Sequence, residues 1–423
     1  MAAIVKQQPW LKDEQRTLEA VVVSTGVLTE EGGGYVEVID RPRRGPIVLV
    51  AGSWGLAAFE LKTFPSTYAA SLHYKALARS RVTMGEALMG RPGAGFVITR
   101  GDYSYVVGGG GLFVVDVSGL DRPDASMALV SESGRLHHVY GKHMVRTGIG
   151  GQGELSTGPT DGGDEAAAIR GDVLFVVGGR GLATFDISDP TKLPTKLGGC
   201  LTGVATRAGG AHCLAHASEP VLYVVGGFGL ATIDVSDPSN PEPLVVDGPA
   251  PLQQPWMKDA STGQSQKTTV LLTGAATIRG NEGMEIVGDD LYLSGGEGVA
   301  CFDISNPRNP VRRFHVKTGV ETRSGGACIA HAEGVVYVIG GLGLAAIDVR
   351  ATPPRLVAKT SAVVVTREGG GDVKYYVDPE DGAGKLVIAG GGGLRVLTAD
   401  HAAWAPYDGE RGVMQPGDCC TIL

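Results

Sequence analysis

The chain has 423 residues, a formal net charge of −8 and no long lysine or arginine run, which argues against nucleic acid, and against an anionic membrane bound by charge alone, as partners. With 43% hydrophobic and 19% charged residues it is a folded globular protein, too long for one ordinary compact core and suited to two or three domains or one large repeat domain. The compositional outlier is glycine, 66 residues with no G-x-y period, clustered between β-branched runs as many tight turns require.

The start, MAAIVKQQPWLKDEQR, has no apolar stretch of signal-peptide length, and residues 1–17 read as an N-terminal extension. No run of about 18 apolar residues follows, so no membrane-spanning helix is expected. The six cysteines, Cys200, Cys213, Cys301, Cys328, Cys419 and Cys420, form no CxxC pair and read as reduced thiols of a cytosolic protein. Then TLEAVVVSTGVLTEEGGG (17–34) parallels LVAKTSAVVVTREGGG (356–371), an outer strand leading into an inner one.

Seven strand–glycine–strand segments come next: VLVAGSWGLAAFEL (48–61), YVVGGGGLFVVDVS (105–118), FVVGGRGLATFDIS (175–188), YVVGGFGLATIDVS (223–236), YLSGGEGVACFDIS (292–305), YVIGGLGLAAIDVR (337–350) and LVIAGGGGLRVLTA (386–399). Each predicts a β-hairpin whose first strand is apolar throughout and buried on both faces. A weaker repeat lies upstream of each hairpin, as in ATRAGGAHCLAHA (205–217), ETRSGGACIAHA (321–332) and VTREGGGDVKYYV (365–377), and predicts an inner strand. Polar segments such as KLGGCLT (196–202), EPLVVDG (242–248) and RFHVKTG (313–319) predict an outer fourth strand. Four strands repeated at this spacing predict an all-β, seven-bladed β-propeller over residues 18–400, widened by insertions near 133–161 and 249–280. Residues 18–26 are expected to supply the missing outer strand of the last blade and close the ring.

GGFGLATIDVSDPSNP resembles the hairpins of the LVIVD-repeat β-propellers, which end in a similar G-L-x-x-x-D-V-S-D-P-x-x-P. The likeness runs from about residue 18 to residue 400, with Glu60 and Thr398 standing where Asp116, Asp186, Asp234, Asp303 and Asp348 stand in the other copies. It implies a propeller and no particular activity.

The repeated aspartates read as turn acceptors and not as a metal ring, because each copy belongs to a different blade. RGD at Arg100–Asp102 and Arg170–Asp172 reads as a turn between the first and second strands. Cys213-Leu-Ala-His216 and Cys328-Ile-Ala-His331 look like metal pairs, with His216 and His331 read as matched positions of two repeats, but residues three apart on a strand face opposite sides, so no metal and no cofactor is expected. The glycine-flanked turn position varies freely: Trp54, Arg180, Phe228, Glu297 and Leu342 are read as an interaction surface on one face. The crossings between blades reach the same face and carry Arg91, Arg207, Arg279, Arg323 and Arg367, an anion site at the channel mouth or a lattice paired with Glu31, Asp164, Glu282 and Glu368. Both insertions are expected to emerge there.

The ending CTIL fits C-a-a-X, with Cys420 as prenyl acceptor, Cys419 as a second, palmitoylated signal and 401–423 as a flexible tether. The leading expectation is a non-enzymatic scaffold for protein partners on a cytoplasmic membrane face. The alternative is an enzyme or small-anion binder that uses the arginines.

Overall fold

A computed structural model describes residues 34–41, 45–52, 55–65, 72–83, 95–108, 111–121, 127–130, 145–146, 166–178, 181–204, 211–249, 265–276, 282–320, 327–360, 371–379, 381–390, 393–401 and 404. Seven antiparallel sheets follow one another along the chain, each pairing its strands in sequence order. Their inner strands are Tyr35–Arg41, Phe96–Arg100, Ala166–Arg170, Ala211–Ala215, Gly283–Val287, Ala327–Ala332 and Gly371–Val377, in blades 1 to 7. Each packs beside the inner strands of both neighbours, and Gly371–Val377 beside Tyr35–Arg41 closes the ring.

The apolar second strands explain the architecture. Val221–Gly226 and Val335–Gly340 are buried at every position, because a blade has a neighbour on each face and both faces are core. Tyr223 and Phe175 are 0% and 1% exposed, and burying side chains of this size contributes roughly 2–3 kcal/mol each. The glycine turn is required where Gly229 opens the third strand of blade 4. Its φ is +144°, and an added Cβ would lie 2.2 Å from the Leu271 carbonyl oxygen.

Five of the seven third strands, those of blades 2 to 6, then end on an aspartate. Asp116, Asp186, Asp234, Asp303 and Asp348 each accept the backbone N–H two residues on, at 2.8–3.1 Å. This is the turn-acceptor role expected of them. The loops that follow bind the blade before: Thr184 Oγ1 donates to the Pro238 carbonyl at 2.6 Å, Tyr223 Oη to that of Pro307 at 3.0 Å, and Arg308 pairs with Asp234 at 2.7 Å.

Two expectations need correction. The outer strands of blades 2 and 4 are split. In blade 2, Ala128–Leu129 pairs with one end of the third strand and Val145–Arg146 with the other. In blade 4, Glu242–Pro243 pairs with Ile233 and Asp234, while Leu271 bridges to Leu230. So 242–248 is not one outer strand: Val246–Pro249 leaves the blade and forms its own ladder with Ser265–Thr268. The insertions therefore begin within an outer strand, not in the crossing between blades. Blade 7 shows three strands, Gly371–Val377, Gly384–Gly390 and Gly393–Thr398; the closing strand expected at 18–26 lies outside the described residues.

Candidate functional site

Strand pairing aligns the seven inner strands rung by rung, counted from the glycine that ends each second strand. The first rung holds Tyr35, Phe96, His212, Cys328 and Asp372, with small Ala166 and Gly283 in blades 3 and 5. On the third rung stand Glu37 of blade 1, Glu285 of blade 5 and Lys374 of blade 7. Ile98, Ala168, Leu214 and Ala330 complete it.

Rings close the first rung. Phe96 lies edge-on to Tyr35 at 4.9 Å between centroids and to His212 at 5.6 Å. The second contact reaches from blade 2 to blade 4, and Ala166 on the blade between leaves room for it. His212 is 5% exposed, and its Nδ1 has no hydrogen-bond partner among the described residues. Burial, with the Lys374 charge nearby, pushes its pKa down to about 3, so the ring is neutral.

Carboxylates cap the inner strand of the following blade. Asp372 Oδ2 accepts the Val36 N–H at 2.9 Å, and Asp372 Oδ1 the N–H of Val373 at 2.9 Å. Glu37 Oε1 accepts the Thr99 N–H at 2.8 Å, and Glu37 Oε2 the Thr99 hydroxyl at 2.6 Å. An inner strand is a sheet edge with N–H groups that face no further strand, so these acceptors complete it.

Electrostatics ties the two rungs together. Burial raises Glu37 to about 7 against the Thr99 hydrogen bonds and the Lys374 charge, which lower it. Burial raises Glu285, opposed by Lys374 and assisted by Asp372. Asp372 is also raised by burial, against Lys374, the two amides and the Cys328 thiol that donates to it. Burial works against the Lys374 charge, but Asp372, Glu285, Cys328 and Glu37 outweigh it and hold the ammonium above its usual value. Glu37, Glu285 and Lys374 keep part of their surface exposed, whereas Asp372 and His212 of the first rung are buried. One ammonium, Lys374, and two carboxylates whose ionisation burial opposes, Glu37 and Glu285, therefore share the rung beneath the aromatic one.

These residues carried a signal in the sequence: Glu37 in YVEVI, Glu285 in GMEIV and Lys374 in DVKYY each stand between apolar or aromatic neighbours. Of the residues singled out from sequence, Arg91, Arg207, Arg279, Arg323, Arg367, Trp54, Arg180, Cys419 and Cys420 lie outside the described residues. Glu282, weighed as an arginine partner, is 1% exposed. Phe228 corrects the surface reading. It is 8% exposed, and its N–H donates to the Val204 carbonyl at 3.0 Å. The neighbouring Gly229 lies against Val270 and Leu271, the segment returning from the insertion. Glu297 is ion-paired with Lys317 at 3.1 Å, and Leu342 is partly exposed.

His216 and His331 are not matched positions either. Aligned on the end of the second strand, His212 corresponds to Cys328, so the two Cys-x-Ala-His runs are offset by one residue. The His216 Nδ1 accepts the Glu219 N–H at 3.0 Å, while His331 stacks on Tyr292 at 5.9 Å. The RGD segments are turns between blades: Gly101 and Gly171 have φ of +59° and +58°. Arg41 pairs with Asp102 at 2.5 Å, Arg100 with Asp172, and Arg170 donates to the Ser218 carbonyl at 3.2 Å.

The model for the LVIVD repeat matches residues 94–130, 165–202 and 213–243, which hold blades 2, 3 and 4. No curated protein matches. Among solved structures, the periplasmic gluconolactonase of Pseudomonas aeruginosa is similar at 12% identity, with 89% of this chain and 93% of that one covered and a TM-score of 0.51. A functionally unknown protein from Desulfotomaculum acetoxidans is similar at 10% identity, covering 89% and 98%, with a TM-score of 0.47. A protein from Lactobacillus plantarum is similar at 13% identity, covering 76% and 83%, with a TM-score of 0.43. At these identities the likeness speaks for the fold alone.

Proposed function

The chain is an LVIVD-repeat β-propeller, and on that premise we propose that it is a non-enzymatic scaffold for a protein partner, held to a cytoplasmic membrane face by a C-terminal lipid. The observation that carries the scaffold reading is the placement of exposed apolar side chains. Leu197 and Leu201 stand on the outer strand of blade 3, and Val245 and Leu272 flank the blade 4 insertion; these are four of the seven exposed large apolar residues among those described. Thr195–Leu201 is also a sheet edge, open to strand addition by a partner. Burial pushes the Cys200 thiol up to about 12 and that of Cys213 higher still, so neither forms a reactive thiolate.

Trp404 bears on the tether. Its Nε1 donates to the Thr398 carbonyl at 3.0 Å and its ring meets Tyr337 at 5.9 Å, at the end where third strands finish. The tether to Cys420 would set out from that end of the ring. Crosslinking in eukaryotic cells tests the scaffold: a stoichiometric partner is expected on the wild-type chain and lost with Leu201→Asp plus Val245→Asp. A partner retained by that variant overturns the rim surface. Membrane fractionation tests the tether, with Cys420→Ser expected in the soluble fraction and an unmodified, soluble wild-type chain overturning it.

A further inference from the structure

We propose that the third rung of the axial channel binds a small zwitterion, with its acid group on Lys374 and its ammonium on Glu285. This inference is independent of the rim surface and of the tether.

The argument starts from which groups are already engaged. Both oxygens of Glu37 accept from Thr99, and both oxygens of Asp372 accept backbone amides. The Lys374 ammonium and the Glu285 carboxylate differ. Among the described residues neither has a hydrogen-bond or ion-pair partner, although each feels the other's charge. They share one rung, in blades 7 and 5, and blade 6 between them offers only the methyl of Ala330. Both keep part of their surface exposed, whereas Asp372 of the first rung is buried. A second, separate feature points to the same chamber. His212 of the first rung is 5% exposed and, among the described residues, leaves its Nδ1 without a partner, and a buried polar atom in that state is seldom tolerated without a compensating group.

Charge selects the ligand class. A simple anion would meet Glu37, Glu285 and Asp372, and a simple cation would meet Lys374. A molecule carrying both charges on a short frame completes the open donor and the open acceptor together. Desolvation strengthens both contacts, since an ion pair gains as the local dielectric falls. Joining the two charges also avoids a second loss of translational freedom. An amino acid or a short ω-amino acid has this form. The surrounding Ile98, Leu214 and Ala168 would accept its carbon chain.

The test uses the purified full chain, with melting temperature and titration calorimetry as readouts. The probes are glycine, L-leucine and 4-aminobutyrate, and methylammonium acetate supplies the same two charges unlinked. At least one zwitterion is expected to raise the melting temperature saturably below about 10 mM, as a ligand of the native state must, and methylammonium acetate is not. Glu285→Gln, which keeps the side-chain shape, and Lys374→Met should each weaken the response at least tenfold. The proposal is overturned if no probe stabilises the wild-type chain, if methylammonium acetate does so equally, or if Glu285→Gln responds like wild type. If Lys374→Met does not fold, the Glu285→Gln and unlinked-charge comparisons decide the matter.

Discussion

The inner and outer edges of a blade are the same chemical object, a strand with one row of backbone groups left unpaired, yet this protein treats them in opposite ways. At the inner edge, Asp372 and Glu37 reach across to the Val36 and Thr99 amides of the following blade. At the outer edge, Thr195–Leu201 is left open, and the outer strands of blades 2 and 4 tolerate breaks of many residues. Access to water separates them. An inner-edge N–H such as that of Val36 or Thr99 is buried or half-buried, meets little bulk water and gains from a protein acceptor, while an outer-edge group is solvated at little cost. The inner edge therefore constrains side-chain identity, and the outer edge is free to take insertions and binding residues.

The most damaging way to break the inner edge is Asp372→Ala. It strands the Val36 and Val373 amides and removes the carboxylate that does most to hold Lys374 charged. A loss of about 3–5 kcal/mol is expected, the range for breaking a buried charged network, read from urea denaturation. A loss below about 1 kcal/mol would show that the cap is dispensable.

Glu37 sharpens the comparison through pH. Its folded pKa, about 7, lies above the ordinary 4.5, so the folded chain holds this proton more tightly than the unfolded one. The associated stability is full below about pH 4.5 and is lost as pH rises through 7, by about 2–3 kcal/mol. Glu37→Gln should flatten that decline between pH 5 and pH 8, and an unchanged slope would remove Glu37 from the account.

The turn clasps grade the effect of burial within one motif. The Arg41 side chain is 8% exposed beside Asp102, whereas Arg100 and Asp172 are 40% and 60% exposed. Asp102→Asn should destabilise by about 1–2 kcal/mol: Asp102 is itself 54% exposed, but its loss leaves the buried Arg41 guanidinium with Asp121 at 4.0 Å. Asp172→Asn should cost less than about 1 kcal/mol, as surface pairs do. Equal melting shifts for the two would refute the distinction.

The smallest effect belongs to the outer edge. Leu201→Asp with Val245→Asp is expected to change stability by no more than about 0.5 kcal/mol, as exposed substitutions usually do. A cooperative melt shifted beyond that would mean these side chains serve the fold.

Much of this was legible in the sequence. The glycine-broken apolar runs predicted the hairpins, and Asp186 and Asp234 were recognisable as turn acceptors because the bond they make spans two residues. The candidate site was legible only in pieces. Glu37, Glu285 and Lys374 are visible as charges between apolar or aromatic neighbours, but they lie far apart in the chain. His216 and His331 looked equivalent because their Cys-x-Ala-His spacing agrees, and only the pairing with the second strand exposes the one-residue offset. Phe228 looked free because the 270–271 segment beside its turn arrives from a distant part of the chain.

The sequence by itself determined the repeat, the turns, the doubly buried second strands and the seven-fold architecture. These follow from side-chain period and backbone freedom, which act over a few residues. Ring closure decided the rest: which side chains share a rung, which carboxylate caps which neighbour, and where an outer strand resumes after an insertion. Those outcomes depend on pairings between residues hundreds of positions apart, as between Asp372 and Val36. The low-dielectric channel that shifts Glu37 and isolates Lys374 beside Glu285 exists only once the first and last blades have met.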